Sequence, residues 1–477
     1  MKKIHQMMMG SFGLIIAAGA PVQGALAQDT QHLSAQQEAI VETLIDRGLK
    51  DDLAYDVLKS LTTEVGPRLA GSDEEAAARD WGVAKLKSLG FKNVRIETFD
   101  IPYWNRVLER VEIVSPFPQP LAATALGSSV ATPKDGLTGE IVRFTTLAEL
   151  QRAPMEGFED KIIFVDEPMT RTQDGSGYGV AVAKRSGAAI EAGKRNALAA
   201  LIRSVGTDSH RLPHTGNMSY GDVEKKVPIA ALSIPDADQL ARAIELASGP
   251  VTVKMNIQVE TRPAATSGNV IGEIPGTTDE IIVVGGHLDS WDLGTGAVDD
   301  GAGVAITTAA AKLVGDLRGR PRRTIRVVLW GSEENGLHGA RAYARQHADE
   351  LERHVLASES DFGAGKIWQL QTRFGQSELP KAATMARMLR GLGVGPGNNF
   401  ARGGPDVTPL AAAGVPILSL RQNGWDYFDL HHTPDDTLDK VDPDDLRQNV
   451  AAWAAMIYMA SEMDGDFRRA QDAVGTE

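Results

Sequence analysis

The run Glu280-Ile281-Ile282-Val283-Val284-Gly285-Gly286-His287-Leu288-Asp289-Ser290 carries an unbroken apolar stretch straight into a histidine and a carboxylate. Apolar runs without polar alternation read as strands buried on both faces, as in a parallel sheet covered by helices on either side. Comparable runs lie at 269–274, 324–330 and 416–420, with helical segments between them, so residues after about 263 predict a doubly wound α/β unit.

Ligands of open α/β sheets bind beyond the carboxyl ends of the strands. Three such ends here are rich in polar groups: His287-Leu288-Asp289-Ser290, Gly331-Ser332-Glu333-Glu334, and Asp361 after the segment 355–360. His287 suits a metal, with Asp289 placed to accept its other ring proton; a lone buried histidine with satisfied hydrogen bonds fits the same residues. Asp299-Asp300-Gly301-Ala302-Gly303 opens a helix, and a carboxylate there reads either as a bridging ligand or as an N-cap. The adjacent Glu333 and Glu334 repel each other unless a cation lies beside them, which points to one ligand and one proton acceptor, or to two solvated loop acids. His431-His432-Thr433-Pro434-Asp435-Asp436 adds paired histidines in a polar loop. All of these fall in one half of the chain, and together they predict a metal site.

Outward from this unit, Ser34 with Gln37 and Ser72 with Glu75 predict capped helices, the second stopping at Gly90, and Asp442-Pro443 starts the last helix. From about 110 to 260 short apolar strands lie among Pro/Gly-rich turns, the texture of an inserted domain. The expected divisions are a signal peptide over 1–27, an N-terminal part of the main domain over 28–110, the insert over 111–262 and the metal-bearing domain over 263–477. The signal reading rests on Lys2, Lys3, an apolar stretch to about Ala20 and the Ala25-Leu26-Ala27 cleavage pattern, so a periplasmic or secreted protein is expected, with no membrane partner after cleavage. There is no cysteine, so every ligand must be His, Asp or Glu. A net charge of -14 without Lys/Arg runs argues against nucleic acid as a partner.

The runs GGHLDSWDLGTGAVDDGAG, WGSEENGLHGA, ESD and HHTPDDT, with GPRLAGS near the N-terminus and GGPDVTPLAAAGVP, resemble the M28 zinc peptidases, and within them the carboxypeptidase Q branch. The resemblance implies a zinc-exopeptidase fold, with a mixed, mostly parallel sheet flanked by helices, plus a protease-associated α+β insert that restricts the cleft to dipeptides or short peptides. It implies two zinc ions per chain: Asp299 bridging, His287 and Asp361 completing one site, Glu334 and His432 the other. Glu333 corresponds to the general base acting on a metal-activated water, and a cis peptide is expected after Asp299. A homodimer is expected as well. His431, where relatives carry tyrosine, is read as a donor to the oxyanion. His210, His214, His338, His347 and His354 match no ligand position and are read as structural or solvated. Other readings are a broader aminopeptidase, a one-zinc glutaminyl cyclase, which lacks a complete second site, and a metal-free receptor-like relative, which the filled ligand set opposes.

Overall fold

The structure is a computed structural model that describes residues 32–468; the expected signal segment lies outside the described residues. The central strands Ile281–His287 and Thr324–Trp330 run parallel, with Trp330 opposite His287, and His354–Glu359 lies parallel on the other side with Glu359 opposite Gly285. Strand alternation divides their side chains between two cores. Ile282, Val284, Val327 and Leu329 face one, with the helices Ala35–Gly48, Leu53–Ser60, Ala302–Gly315 and Pro443–Glu462; Ile281, Val283, Val328 and Trp330 face another, with Tyr343 and Leu410. Both faces are therefore covered, which is why these strands carry no polar alternation.

The register has a direct consequence for the site. His287, Glu333, Glu334 and Asp361 leave three adjacent parallel strands at the same end of the sheet. Helix starts follow the caps: Ser34 and Gln37 form a reciprocal capping box, Ser72 accepts from the Glu75 N–H, and Asp442 accepts from Asp444 and Asp445.

Two strands are far longer than the runs at 94–99, 251–258 and 269–274 that the sequence pattern predicts as strands. Lys92–Ser115 and Thr252–Ile274 pair antiparallel along nearly their whole length, joining the sheet at the metal-bearing end to a second set of strands. Pro102 and Pro263 interrupt the apolar pattern and make these strands read as ending early. They sit near the shift in register between Ile101 and Tyr103, where a residue without an N–H costs the ladder little. Beyond the ribbon, Leu137–Phe144, Lys161–Val165, Ala199–Arg203 and Ile229–Leu232 run parallel in that order with their own two cores.

At the far end of His354–Glu359 a buried relay fixes a protonation state. Arg326 Nη1 donates to Tyr343 Oη at 2.8 Å, leaving the Tyr343 hydroxyl proton for His354 Nε2 at 2.8 Å, while His354 Nδ1 lies 2.9 Å from the Glu350 carbonyl. Burial lowers the His354 pKa to about 4, against an ordinary value near 6.5. Between those values the unfolded chain binds a proton that the folded chain does not. The stability this site contributes is thus complete above about pH 6.5 and is lost as pH falls towards 4, by about 2–3 kcal/mol. Urea denaturation at pH 7 and pH 4.5 should show His354→Gln losing less stability than the parent by that amount; identical losses would refute the relay.

Candidate metal centre

Asp299 stands at the middle of the site and uses its two oxygens in two directions. Its Oδ1 lies 3.0 Å from His287 Nε2, which is itself 3.6 Å from Asp361 Oδ1. Its Oδ2 lies 3.1 Å from His432 Nε2, and that nitrogen is 3.0 Å from Glu334 Oε2. The structure thus brings all five sequence-identified ligand candidates together as two donor sets sharing one carboxylate. His431 stacks on His432, ring centroids 3.5 Å apart, with its Nε2 3.6 Å from Asp299 Oδ2.

The residues fit zinc. Asp299 Oδ2 and Glu334 Oε1 are buried with no hydrogen-bond partner, a costly state for carboxylate oxygens unless a cation meets them. Imidazole nitrogens and carboxylate oxygens, without thiolate, are a donor set that zinc accepts. Burial lowers the His432 pKa, but Glu334 and Asp299 outweigh it and hold the ring up at about 9. Burial likewise opposes ionisation of Asp299, yet the His287 and His432 rings beside its two oxygens keep its carboxyl well below the usual range. Burial, reinforced by Glu334 and Asp361 against the attraction of His287, pushes Glu333 well above it.

A second tier of contacts fixes these side chains. Asp289 was expected to accept the second ring proton of His287 through its carboxylate. Instead its main-chain carbonyl lies 2.9 Å from His287 Nδ1, and its carboxylate, 3.8 Å from that nitrogen, accepts the N–H groups of Glu333 at 3.0 Å and Glu334 at 3.3 Å. The short turn from strand to loop makes the carbonyl the nearer acceptor and leaves the carboxylate to clamp the two glutamates. Asp300 accepts from the His287 and Gly303 N–H groups, with Gly286 and Gly303 packed against it: a Cβ on either would lie 2.5 Å from Asp300 oxygens. Asp436 accepts from the N–H groups of Val298 and Asp299. The Asp299–Asp300 peptide is cis, as the resemblance implied.

Arg68, fully buried, donates to the carbonyls of Leu288, Gly66, Thr295 and Gly296 and so pins the loop that carries Asp299. Neither Asp436 nor Arg68 was singled out in the sequence, although Arg68 stands in GPRLAGS and Asp436 in HHTPDDT; an arginine in a turn-rich link and the second of two loop acids carry no local sign of burial.

The segment 207–215 grips the histidine loop. Thr215 N–H donates to the His432 carbonyl at 3.1 Å, and the Thr215 carbonyl lies 3.2 Å from His432 Nδ1, which fixes Nε2 as the nitrogen free for a metal. His214, buried, lies 2.7 Å from the His431 carbonyl through Nδ1 and 2.8 Å from Asp208 through Nε2. His210 lies 3.2 Å from Asp435, and His347 spans Glu97 and Glu350. A cleft of about 380 Å³ opens on the centre, lined by Asp299, Glu333, Glu334 and His432 and also by Tyr178, Arg185 and Asn217, which the sequence reading did not place there. The signal for them is faint: a Gly-flanked tyrosine and a Lys-Arg pair opening an otherwise small-residue helix.

Peptidase family M28 matches residues 269–457. The chain is 33% identical to mouse (Mus musculus) carboxypeptidase Q over 467 residues, covering 97% of each. A solved structure of a peptidase M28 precursor from Shewanella amazonensis SB2B is 48% identical with a TM-score of 0.89, over 91% of this chain and 98% of that one. An aminopeptidase from Aneurinibacillus sp. strain AM-1, at 23% identity and a TM-score of 0.61 over 90% of this chain and 97% of that one, shares the fold. With a mostly parallel sheet delivering imidazoles and carboxylates to one cleft, and similarity along nearly its whole length, the chain belongs to peptidase family M28 and is a zinc-dependent peptidase.

Proposed function

We propose that this peptidase is an exported exopeptidase that uses two zinc ions to hydrolyse dipeptides or short peptides, in the manner of carboxypeptidase Q. The observation that supports it best is Asp299, whose two oxygens face two separate donor sets. When bound, zinc supplies Lewis acidity towards a water and the scissile carbonyl. Glu333, held by Asp289 but outside the five-residue ligand set, takes the proton from the attacking water and passes it to the leaving amine. His431, a buried ring with an unpartnered Nδ1, is the donor assigned to the developing oxyanion. Residues 1–27 act as a cleaved export signal, residues 111–262 as a protease-associated insert that narrows the cleft, and the enzyme works as a homodimer.

Zinc content of the purified protein, measured with hydrolysis of Lys-Ser in free and N-blocked forms, tests this reading. The expected result is about two zinc ions per chain, with cleavage of the free dipeptide lost on chelation and restored by zinc. A single zinc in a fully active enzyme overturns the two-metal assignment, and cleavage confined to long peptides overturns the substrate assignment.

A further inference from the structure

Arg185 lines the cleft from the helix Ala183–Lys194 and is 3% exposed. A guanidinium withdrawn from water needs acceptors for its five N–H donors. The other deeply buried arginines have them: Arg195 reaches the carbonyls of Pro154, Leu150, Ala153 and Glu191, and Arg323 reaches Glu280 and the carbonyls of Ala460, Met463 and Gly465. Arg185 does not. Nη1 donates to Tyr178 Oη at 3.0 Å, Nη2 lies 3.5 Å from His432 Nδ1, Nε has no partner, and among the described residues no ion pair forms. His432 Nδ1 faces the Thr215 carbonyl, so it is no acceptor for the arginine once its Nε2 takes a metal. The fold nevertheless keeps room for this side chain, because a Cβ on Gly216 would lie 2.1 Å from Nη1.

We propose that Arg185 binds the free C-terminal carboxylate of the peptide being cleaved. This rests on the exopeptidase reading and deepens it: a peptide carboxylate matches the planar guanidinium fork in two parallel hydrogen bonds, and a cleft of about 380 Å³ suits a ligand of dipeptide size. It makes the enzyme one that measures its substrate from the carboxyl end.

The test compares Lys-Ser with its C-terminal amide, on the parent and on Arg185→Met. The parent should favour the free acid in kcat/KM by about 10- to 150-fold, the span of a hydrogen bond to a charged group. In Arg185→Met that preference should vanish, mainly through a higher KM, with zinc content unchanged. Calorimetric binding of Lys-Ser to zinc-loaded Glu333→Gln, with and without Arg185→Met, should show the same loss of affinity without turnover. Equal kcat/KM of acid and amide in the parent overturns the proposal even if the variant fails to fold. So does an equal fall in kcat on both substrates in the variant, the outcome expected if Arg185 serves the oxyanion or only the Tyr178 contact. If the parent cleaves neither compound, the exopeptidase reading fails, and the calorimetric comparison still decides whether Arg185 holds the carboxylate.

Discussion

Glu333→Gln should lower kcat on a dipeptide by about 10²- to 10⁴-fold, the range that a positioned general base contributes. Glutamine keeps the size and polarity of the side chain but cannot take up a proton. The proposed ligand set does not include Glu333, and the Asp289 carboxylate holds this turn through the main-chain N–H groups of Glu333 and Glu334, which the substitution leaves in place. Zinc content and KM should therefore stay close to those of the parent. Steady-state kinetics alongside metal analysis decides it. A variant that retains kcat within about fivefold has its base elsewhere, whereas loss of zinc would recast Glu333 as a ligand.

The largest effect on stability is expected from Arg68→Met. Methionine fills much of the same volume, but the carbonyls of Leu288, Gly66 and Thr295 would lose the donor that Arg68 supplies, and that of Gly296 would keep only the Gly301 N–H. Burial lowers the Arg68 pKa only to about 10, so the side chain is charged at neutral pH beside Asp436, Asp289, Asp300 and Asp299. Removing one side of such a buried charged network costs about 3–5 kcal/mol, and here it also frees the loop bearing Asp299. Denaturant unfolding of the metal-free proteins should show that loss, and zinc titration a weaker affinity in the variant. Unchanged stability would mean that water reaches these carbonyls.

The strands and the ends from which ligands emerge were legible in the sequence because burial on both faces leaves an unmistakable mark: Ile281 to Gly286 and Ile325 to Trp330 permit no polar residue except Arg326, which pairs with Glu273. A carboxylate or imidazole placed straight after such a run stands out against it. The caps at Ser34, Ser72 and Asp442 were legible for a similar reason, since each depends on residues within three positions. What depends on distant partners was not legible. Whether the carboxylate or the carbonyl of Asp289 serves His287 is set by the geometry of one turn, and nothing local to Arg185 tells that it meets His432, some 247 positions away. The long paired strands were missed because Pro102 and Pro263 look like terminators, and only their joint position at a register shift shows that the ladder passes them.

That ribbon also sets an order of events during synthesis. The strand Lys92–Ser115 leaves the ribosome long before its partner Thr252–Ile274, and everything from 116 to 251 must emerge between them. The nascent chain therefore carries an unpaired edge of 24 residues until the intervening part is made, a stretch open to wrong pairing. Charged and proline-bearing positions along it, Arg95, Asp100, Pro102, Arg106, Glu109, Arg110 and Glu112, are the kind that discourage another strand from docking. Since His432 comes later still, the two donor sets around Asp299 are complete only when nearly all of the protein exists.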